Sequence, residues 1–327
     1  MKKYILIIAA SAFFIASCDK KLNILPRQSV AEEVALTSDV NVKKVLNGAY
    51  DALSSGNLYG GNVLLYSELL GANGEIRWEG TFNEPREIWQ KAILTTNSFV
   101  RTTWSQGYYT VNIANNILSA INVVNAADQN RVRGEALFIR GSVYFELVKL
   151  YARPYSAGNT NTNLGLPIIL TPTREVNESS LVPRSSVEQT YAQIIADLTQ
   201  AENLLPNTNS VYATKAAAGA MLARVYLQMA RYADARDAAH RAITAATGKS
   251  LATTYTAAFN NTANSNEYIF AIQVSAQDGA NTMHLYWSIP AFGGRDGDVS
   301  IQAPHLALYT PGDARRALFY TGAGATR

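Results

Sequence analysis

The sequence predicts a mainly α-helical fold, in which helical hairpins pack with long irregular loops and a few short strands. The clearest observation is the stretch from Thr214 to Ile243, where apolar or small residues recur at helical spacing. This pattern predicts two helices, with Thr214 as the cap of the first and a short turn near Ala230. Alanines line the facing sides, so the two backbones approach closely. Such a hairpin cannot bury its hydrophobic face alone, which is typical of tetratricopeptide-like repeats.

Two further observations support the same fold class. A helix over 104–124 followed by a second helix up to Tyr151 predicts a hairpin over about 104–151. A helix over 187–205 leads directly into the hairpin described above, so that helical structure is predicted over about 187–246. The stretches between these helices are rich in Gly, Asn and Pro and read as loops.

The amino terminus has the build of a secreted lipoprotein. Lys2 and Lys3 precede an apolar run of about a dozen residues, which is shorter than the ~20 residues that span a bilayer. Ile-Ala-Ser-Cys follows and has the form of a lipobox that ends at Cys18, the only cysteine of the chain. We therefore expect a signal peptide over 1–17, lipidation of Cys18 and a short tether over 18–30. Two or three acyl chains hold a protein stably on a membrane.

The next elements follow in chain order. Asp39 is expected to cap a helix that ends near Ser54, and 58–103 is expected to be weakly periodic and loop-like. In the helix that ends at Tyr151, Asp128 is the expected cap. Its charged residues fall mostly off the apolar stripe and are expected to face solvent. These residues are Arg131, Arg133, Glu135, Arg140, Glu146 and Lys149.

The second half begins with an extended apolar segment over 164–170 that is expected to lie over the helices. Ser185 and Glu188 fit a capping box for the next helix. The β-branched and aromatic residues over 268–274 predict a short strand. A last short helix is expected to begin at Ser300 and to run through Leu308.

Composition and motifs exclude several classes of function. The formal net charge is +3, and near +1 without Lys2 and Lys3, so no strong field attracts nucleic acid. The three histidines are far apart, and the chain has no H-E-x-x-H, G-x-S-x-G or phosphate-binding glycine motif. We therefore expect no enzyme activity, no cofactor and no metal, and Asp296 and Asp298 are interpreted as solvated carboxylates.

The motifs along the chain resemble those of the SusD/RagB family of bacterial lipoproteins. The resemblance rests on the lipobox, on TSDVNVKKVLNGAYDAL and WSQGYYTVNIANNIL, and on GEALFIRGSVYFELVKLYARPY followed by GLPIIL. RSSVEQTYAQIIADLTQAENLLP, the Thr214 hairpin, NEYIFAIQV and the triplet from Asp313 to Arg315 extend it over nearly the whole chain. Family members usually continue far beyond such a triplet. The chain is therefore expected to be a truncated SusD-like helical domain over 18–327.

The resemblance implies a cell-surface location and a partner. Proteins of this family lie on the outer face of the outer membrane and cover a SusC-like TonB-dependent transporter. They capture glycans, or in some members peptides, for import, and they are not enzymes. Their contact residues lie in variable loops, so no individual residue can be transferred from the family to this chain.

The ligand-binding candidates come from two aromatic loops that are distant in sequence. Sugars are bound by flat aromatic faces together with planar amide, carboxylate or guanidinium groups. The candidates are Asn73, Arg77, Trp78, Phe82 and Trp89 in the first loop and Tyr286, Trp287, Phe292 and Arg295 in the second. A hydrophobic plug beneath a long loop is the competing interpretation for these aromatic residues, and core packing is favoured for Trp104.

Two other functions remain open from the sequence. One is a lipid-tethered scaffold that binds only other proteins. The other is a helical glycan hydrolase, because four glutamates crowd the first loop and a glycosidase needs a pair of carboxyl groups. The crowded glutamates are Glu75, Glu79, Glu84 and Glu87.

Overall fold

The computed structural model describes residues 35–259, 263–274, 281–322 and 324–326. The expected signal peptide, Cys18 and the tether lie outside these residues. Within the described ranges, no helix combines the length and the apolar character that crossing a membrane requires.

The structure is mainly helical, which confirms the predicted fold class. Ten α-helices are described: α1 Asp39–Ser54, α2 Asn62–Gly71, α3 Asn83–Trp89, α4 Ser98–Ser119, α5 Ala126–Tyr151, α6 Val187–Leu204, α7 Lys215–Gln228, α8 Tyr232–Ala245, α9 Thr282–Trp287 and α10 Ala303–Leu306. Helices α1 and α4 to α8 form the body, in which α4 packs on α5, α5 on α6, α6 on α7, and α7 on α8. The first predicted hairpin corresponds to α4 and α5, and the second helical region to α6, α7 and α8.

Helix α5 lies at the centre of the body and is buried on all sides. Its core residues include Val132, Ile139 and Leu147, as the apolar stripe predicts. Its charged residues do not all face solvent, however, because Glu135, Arg140 and Glu146 are also buried. The expectation of a solvated face was wrong for these three, since neighbouring helices cover every side of α5.

Buried charge on α5 is compensated by a clamp that joins three helices and a loop. Arg140 donates from Nε and Nη2 to the two carboxylate oxygens of Asp197 on α6, at 2.8 and 2.7 Å. Its Nη1 donates to Asn115 Oδ1 on α4 at 2.8 Å. The Asn115 amide in turn donates to the carbonyl of Ile169 at 2.9 Å, and the Tyr144 hydroxyl donates to the same carbonyl at 2.8 Å. The extended segment over 164–170 therefore lies against the helices, as expected, and is held there by polar contacts.

Three helix caps differ from the predicted ones by one to three residues. Ser38, not Asp39, caps α1 by accepting from the backbone N–H of Asn41. Helix α5 begins at Ala126 without a side-chain cap, and Asp128 instead contacts Lys43 at 2.6 Å. Ser38 and Asp39 have similar capping ability, so composition alone does not select the first residue of α1.

The capping box of α6 is also displaced. Ser186 accepts from the backbone N–H of Gln189, and the Gln189 side chain accepts from the backbone N–H of Ser186. The predicted pair was Ser185 with Glu188. The carboxylate of Glu188 instead accepts hydrogen bonds from Tyr155 and Thr160, which ties the preceding loop to α6.

The hairpin of α7 and α8 has the predicted cap and close packing. The row of buried apolar residues on α8, however, is narrower than expected. Thr214 accepts from the backbone N–H of Ala217 and caps α7. Tyr232 and Ile243, assigned to the apolar stripe, are 68% and 70% exposed. The buried residues of α8 are Ala235, Ala238 and Ala242, so small side chains alone form the contact with α7.

Strands are few and short in the described residues. β1 (Ile76–Trp78) pairs antiparallel with β2 (Val299–Ile301), and β3 (Thr321–Gly322) pairs with β4 (Ala325–Thr326). The strand expected over 268–274 is wrong, because no backbone ladder partner lies beside it and the segment is irregular. Its Phe270 packs edge-on against Phe138 of α5, with 5.3 Å between ring centroids. Ser300, expected to start a helix, lies within β2.

Candidate functional site

The two aromatic loops of the sequence meet through the pairing of β1 with β2. Ile76 pairs with Ile301, and Trp78 pairs with Val299. The backbone N–H of Glu79 extends this ladder by donating to the carbonyl of Asp298 at 2.7 Å. The first loop was expected to lack regular structure. It contains β1 and the short helix α3, and α2 precedes it.

Gly80 permits the close approach of these loops. A Cβ atom at this position would lie 2.3 Å from Oδ1 of Asp298, a side chain that is itself buried. Asp298 also lies 3.7 Å from Nη1 of Arg295. A side chain larger than hydrogen at position 80 therefore cannot be accommodated unless Asp298 moves.

Three candidate aromatic residues form one packed group, which we call the aromatic core. Trp78 and Tyr286 are 3% and 4% exposed and pack edge to face, with their centroids 5.3 Å apart. Phe82 is 42% exposed and packs against Tyr286 at 6.3 Å. The Trp78 indole N–H donates to the carbonyl of Phe82 at 3.2 Å. Burial raises the pKa of the Tyr286 phenol. Trp78 and Tyr286 thus have the environment of the hydrophobic plug, and only Phe82 of this group presents a substantial surface.

Arg295 covers the outer side of the aromatic core. Its guanidinium carbon lies 3.9 Å from the centroid of the Phe82 ring, and Nη2 donates to the Thr81 hydroxyl at 2.6 Å. This stacking and hydrogen bond fix the second loop on the first, in addition to the strand pair. Arg295 therefore connects the two aromatic loops.

The other candidates of the first loop are dispersed. Trp89 is partly buried, and its indole N–H donates to the carbonyl of Ile76 at 3.2 Å. The side chains of Asn73 and Arg77 are exposed. Arg77 lies between Ile76 and Trp78 on β1 and therefore points to the opposite side of the strand. The structure does not bring Arg77 into the aromatic core.

A cleft of about 570 Å³ lies beside the strand pair, and we call it the Trp287 cleft. It lies between α2, β1, the end of α9 and the segment before β3. Its lining residues are Ser67, Glu68, Gly71, Ala72, Glu75, Ile76, Trp287, Ser288, Ile301, His305, Leu318, Phe319 and Tyr320. Among the nine sequence candidates, only Trp287 lines it.

Trp287 differs from the two tryptophans of the first loop in its hydrogen bonding. The indole N–H groups of Trp78 and Trp89 are both bonded to carbonyls, whereas that of Trp287 has no acceptor among the described residues. Trp104 also lacks an intramolecular acceptor within that part of the chain. It packs against Tyr108 and Tyr151, at 4.8 and 5.0 Å, beside a separate groove on α4. Trp287 thus contributes an aromatic side chain to the lining of the cleft, while part of it packs against the core.

Polar groups of several kinds complete the Trp287 cleft. The carboxylate of Glu75 accepts from the backbone N–H of Asn73 at 2.6 Å, and this bond lowers the pKa of the Glu75 carboxyl. His305 shares a hydrogen bond with the Tyr309 hydroxyl at 3.0 Å and packs edge-on against Phe319. The ring of Tyr320 packs against the ring of Phe292, with 5.1 Å between their centroids. Phe292, an exposed sequence candidate, therefore lies beside the cleft and not in its lining.

Sequence reasoning missed most of the cleft. Glu68 lies on α2, a helix with apolar residues on several faces and therefore no clear stripe. His305 was considered only as a catalytic residue, and Tyr320 lies in a segment without helical period. Glu68, His305 and Tyr320 come together only through contacts between distant parts of the chain, and the local sequence does not predict such contacts.

Metal binding finds no geometric support in the described part of the chain. No group of three or more His, Cys, Asp or Glu side chains is arranged there to hold an ion. Asp298 is buried beside Arg295, so the expectation that it is a solvated carboxylate was wrong. Asp296 is largely exposed.

Comparisons with known proteins agree on one family. The SusD-like family model described as "Starch-binding associating with outer membrane" matches residues 23–227. SusD-like protein P2 of Formosa agariphila is 26% identical over 243 residues, which cover 73% of this chain and 46% of that protein. SusD-like protein P38 of the same organism is 22% identical over 239 residues. The chain thus spans about half the length of the curated relatives that it matches.

Solved structures show the same fold. A SusD superfamily protein from Bacteroides thetaiotaomicron superposes with a TM-score of 0.75 at 23% identity, covering 88% of this chain and 66% of that chain. A SusD superfamily protein from Bacteroides vulgatus superposes with a TM-score of 0.73 at 25% identity, covering 88% and 67%. A laminarin-binding SusD-like protein has a TM-score of 0.50 at 22% identity, covering 62% and 42%. The family model matches residues 23–227, which are more than half of the chain, so the chain belongs to the SusD-like family.

Proposed function

We propose that this protein is a cell-surface lipoprotein that binds oligosaccharides in the Trp287 cleft and delivers them to a SusC-like TonB-dependent transporter. The observation that carries the proposal is the position of Trp287, an aromatic residue that lines an open cleft together with two carboxylates and several other polar side chains. A sugar ring needs this combination, because its C–H face packs on an aromatic ring and its hydroxyls exchange hydrogen bonds. The fold shared with a laminarin-binding protein supports a glycan as the ligand.

Binding without chemistry is consistent with the environment of the Glu75 carboxyl. A glycoside hydrolase needs a carboxylic acid whose pKa is raised, so that it carries a proton to the leaving group. The pKa of Glu75 is lowered instead, because its carboxylate accepts a backbone hydrogen bond. Glu75 is thus suited to accept hydrogen bonds from sugar hydroxyls. Peptides are the alternative ligand, since an aromatic, acidic cleft also accommodates them.

Calorimetric titration of the whole chain tests the binding site. We expect Trp287→Ala to weaken binding of the best of maltohexaose, cellohexaose and laminarihexaose by about tenfold or more, as for a central aromatic contact. Trp104→Ala is the matched control, because Trp104 lies in a different groove. Unchanged affinity in Trp287→Ala would exclude the cleft as the binding site. Trp78→Ala is unsuitable, since a buried tryptophan replaced by alanine costs about 3–5 kcal/mol of stability.

The anchor and the transporter need separate tests. Lipidation of Cys18 predicts that palmitate labelling of cells disappears in Cys18→Ala, and labelling that persists would refute this anchor. Delivery to a transporter predicts that the tagged protein purifies with a large outer-membrane partner encoded beside it. A protein–protein scaffold is the second candidate, favoured by the exposed Tyr232 and Ile243 on α8. It predicts a protein partner but no binding of any glycan or peptide.

A further inference from the structure

The charged groups of the Trp287 cleft are of one sign. Two carboxylates, those of Glu68 and Glu75, belong to its lining. No lysine or arginine does, within the residues that the structure describes. The remaining polar side chains of the lining are Ser67, Ser288, His305, Trp287 and Tyr320.

The two carboxylates differ in their surroundings. Glu75 accepts a hydrogen bond from the backbone N–H of Asn73, and its charge is also attracted by Lys91, which does not belong to the lining. Lys91 lies at the rim, where its ammonium group donates to the carbonyl of Ala72 at 2.7 Å. The negative charge of Glu75 is therefore partly offset.

Glu68 has no such compensation. It is an exposed residue of α2, and its carboxylate makes no ion pair or hydrogen bond with the described residues. Its nearest neighbours in the lining along the chain are Ser67 and Gly71, which carry no charge. An acidic group of a ligand would meet this carboxylate in a concave site, where the charges are less screened than on a flat surface.

We propose that the Trp287 cleft selects uncharged sugars over uronic-acid or sulfated glycans, and that Glu68 is the residue that determines this specificity. The inference rests on the proposed glycan-binding function and names its substrate class. Sugar hydroxyls donate to carboxylates, so neutral glycans gain hydrogen bonds from Glu68 and Glu75. A ligand carboxylate or sulfate has no proton to donate, and it is repelled instead. Repulsion of this kind is a means of rejecting the wrong ligand.

The test is calorimetric titration of the whole chain with two sets of hexasaccharides at low salt. The neutral set is maltohexaose, cellohexaose and laminarihexaose, and the acidic set is the hexamers of galacturonic and mannuronic acid. We expect every acidic hexamer to bind about tenfold or more weakly than the best neutral one. We expect the ratio to shrink as ionic strength rises from about 0.01 to about 1 M, since the Debye length falls from ~30 to ~3 Å.

Two variants assign the selectivity to Glu68. In Glu68→Gln the best neutral hexamer should bind only about threefold more tightly than the acidic hexamers. In Glu68→Lys the acidic hexamers should bind as tightly as the best neutral hexamer, or more tightly. Glu175→Lys is the matched control, because it makes the same change in net charge on an exposed loop outside the cleft, and its ratio should stay that of the native chain.

The outcomes separate the selectivity from the function on which it rests. An acidic hexamer that binds the native chain as tightly as the best neutral one would overturn the selectivity, while glycan binding would stand. The same ratio in Glu68→Lys and in the native chain would overturn the role of Glu68. If no hexamer of either set binds, the proposed function fails, and the inference fails with it.

Discussion

Replacing Arg140 with methionine removes the cation of the buried clamp between α5 and α6. Methionine has a similar length and keeps the apolar contacts of the arginine stem, so the change is mainly one of charge and hydrogen bonding. It leaves Asp197, which is 3% exposed, without the two guanidinium contacts at 2.8 and 2.7 Å. It also leaves Asn115 Oδ1 without its guanidinium donor.

The expected cost is large because the remaining carboxylate is buried. Removing one partner of a buried ion pair costs about 3–5 kcal/mol, which lowers the folding equilibrium constant by about two to four orders of magnitude. An exposed pair contributes only about 0–1 kcal/mol. Arg236 and Asp237 form such a pair, with side chains 75% and 57% exposed. Arg236→Met is therefore the control for loss of one positive charge.

The pH dependence makes the test specific to Asp197. Burial raises the pKa of this carboxyl above its usual value even beside Arg140, and without the guanidinium the folded-state pKa rises further. A folded-state pKa above the unfolded one means that protonation favours the folded state. The difference in free energy of unfolding between the native chain and Arg140→Met should therefore shrink as the pH falls from 7 to 4.

Urea denaturation measures the free energy of unfolding of the native chain, Arg140→Met and Arg236→Met. Circular dichroism follows the unfolding at pH 7 and at pH 4. A deficit below about 1 kcal/mol at pH 7, or one that does not change with pH, would refute a buried, uncompensated Asp197.

Three further predictions concern single contacts. Ser186→Ala should destabilise the protein by about 1 kcal/mol in urea denaturation, because it removes half of the capping box of α6, and no loss would mean that the cap is dispensable. Gly80→Ala should cost about 1–3 kcal/mol, because the new Cβ displaces the Asp298 carboxylate, and native stability would contradict the close approach of the two loops. The Arg315 guanidinium lowers the pKa of the Asp313 carboxyl from 3.8 to about 2. The stabilisation from this pair is therefore complete above about pH 3.8 and is lost as the pH falls through 2. In Arg315→Gln a carbon-13 NMR titration should find the pKa of Asp313 raised toward 3.8, because only the hydrogen bond from the backbone N–H of residue 315 remains. A value still near 2 would assign the whole shift to the backbone.

Local patterns predict the helices that have one solvated face. On α1 the apolar residues Val42, Leu46 and Leu53 are buried, as their spacing requires. The same reasoning fails on α5, because a stripe identifies a buried face only when another face meets water. Arg140 has no feature in the sequence that distinguishes it from a surface arginine, since its partner lies 57 residues away.

The candidate site is less predictable than the helices for a related reason. Trp78 and Trp287 occur in similar polar, irregular stretches, yet one is buried with its N–H bonded and the other lines the cleft. The difference arises from the pairing of β1 with β2, and each strand has only three residues. Such short strands carry too little pattern to be recognised before their partner is known.

The strand pair and the contact between Arg295 and Thr81 also constrain the order of folding. Arg295 and Thr81 are 214 residues apart, and the body helices α4 to α8 lie between them in the sequence. Closing a flexible chain of this length costs conformational entropy, which is smaller once the intervening helices have packed. We therefore expect the cleft to form late in folding, on a body that is already compact. Binding of a ligand at Trp287 would then report that the whole body has folded, and a chain arrested earlier in folding would lack the proposed binding site.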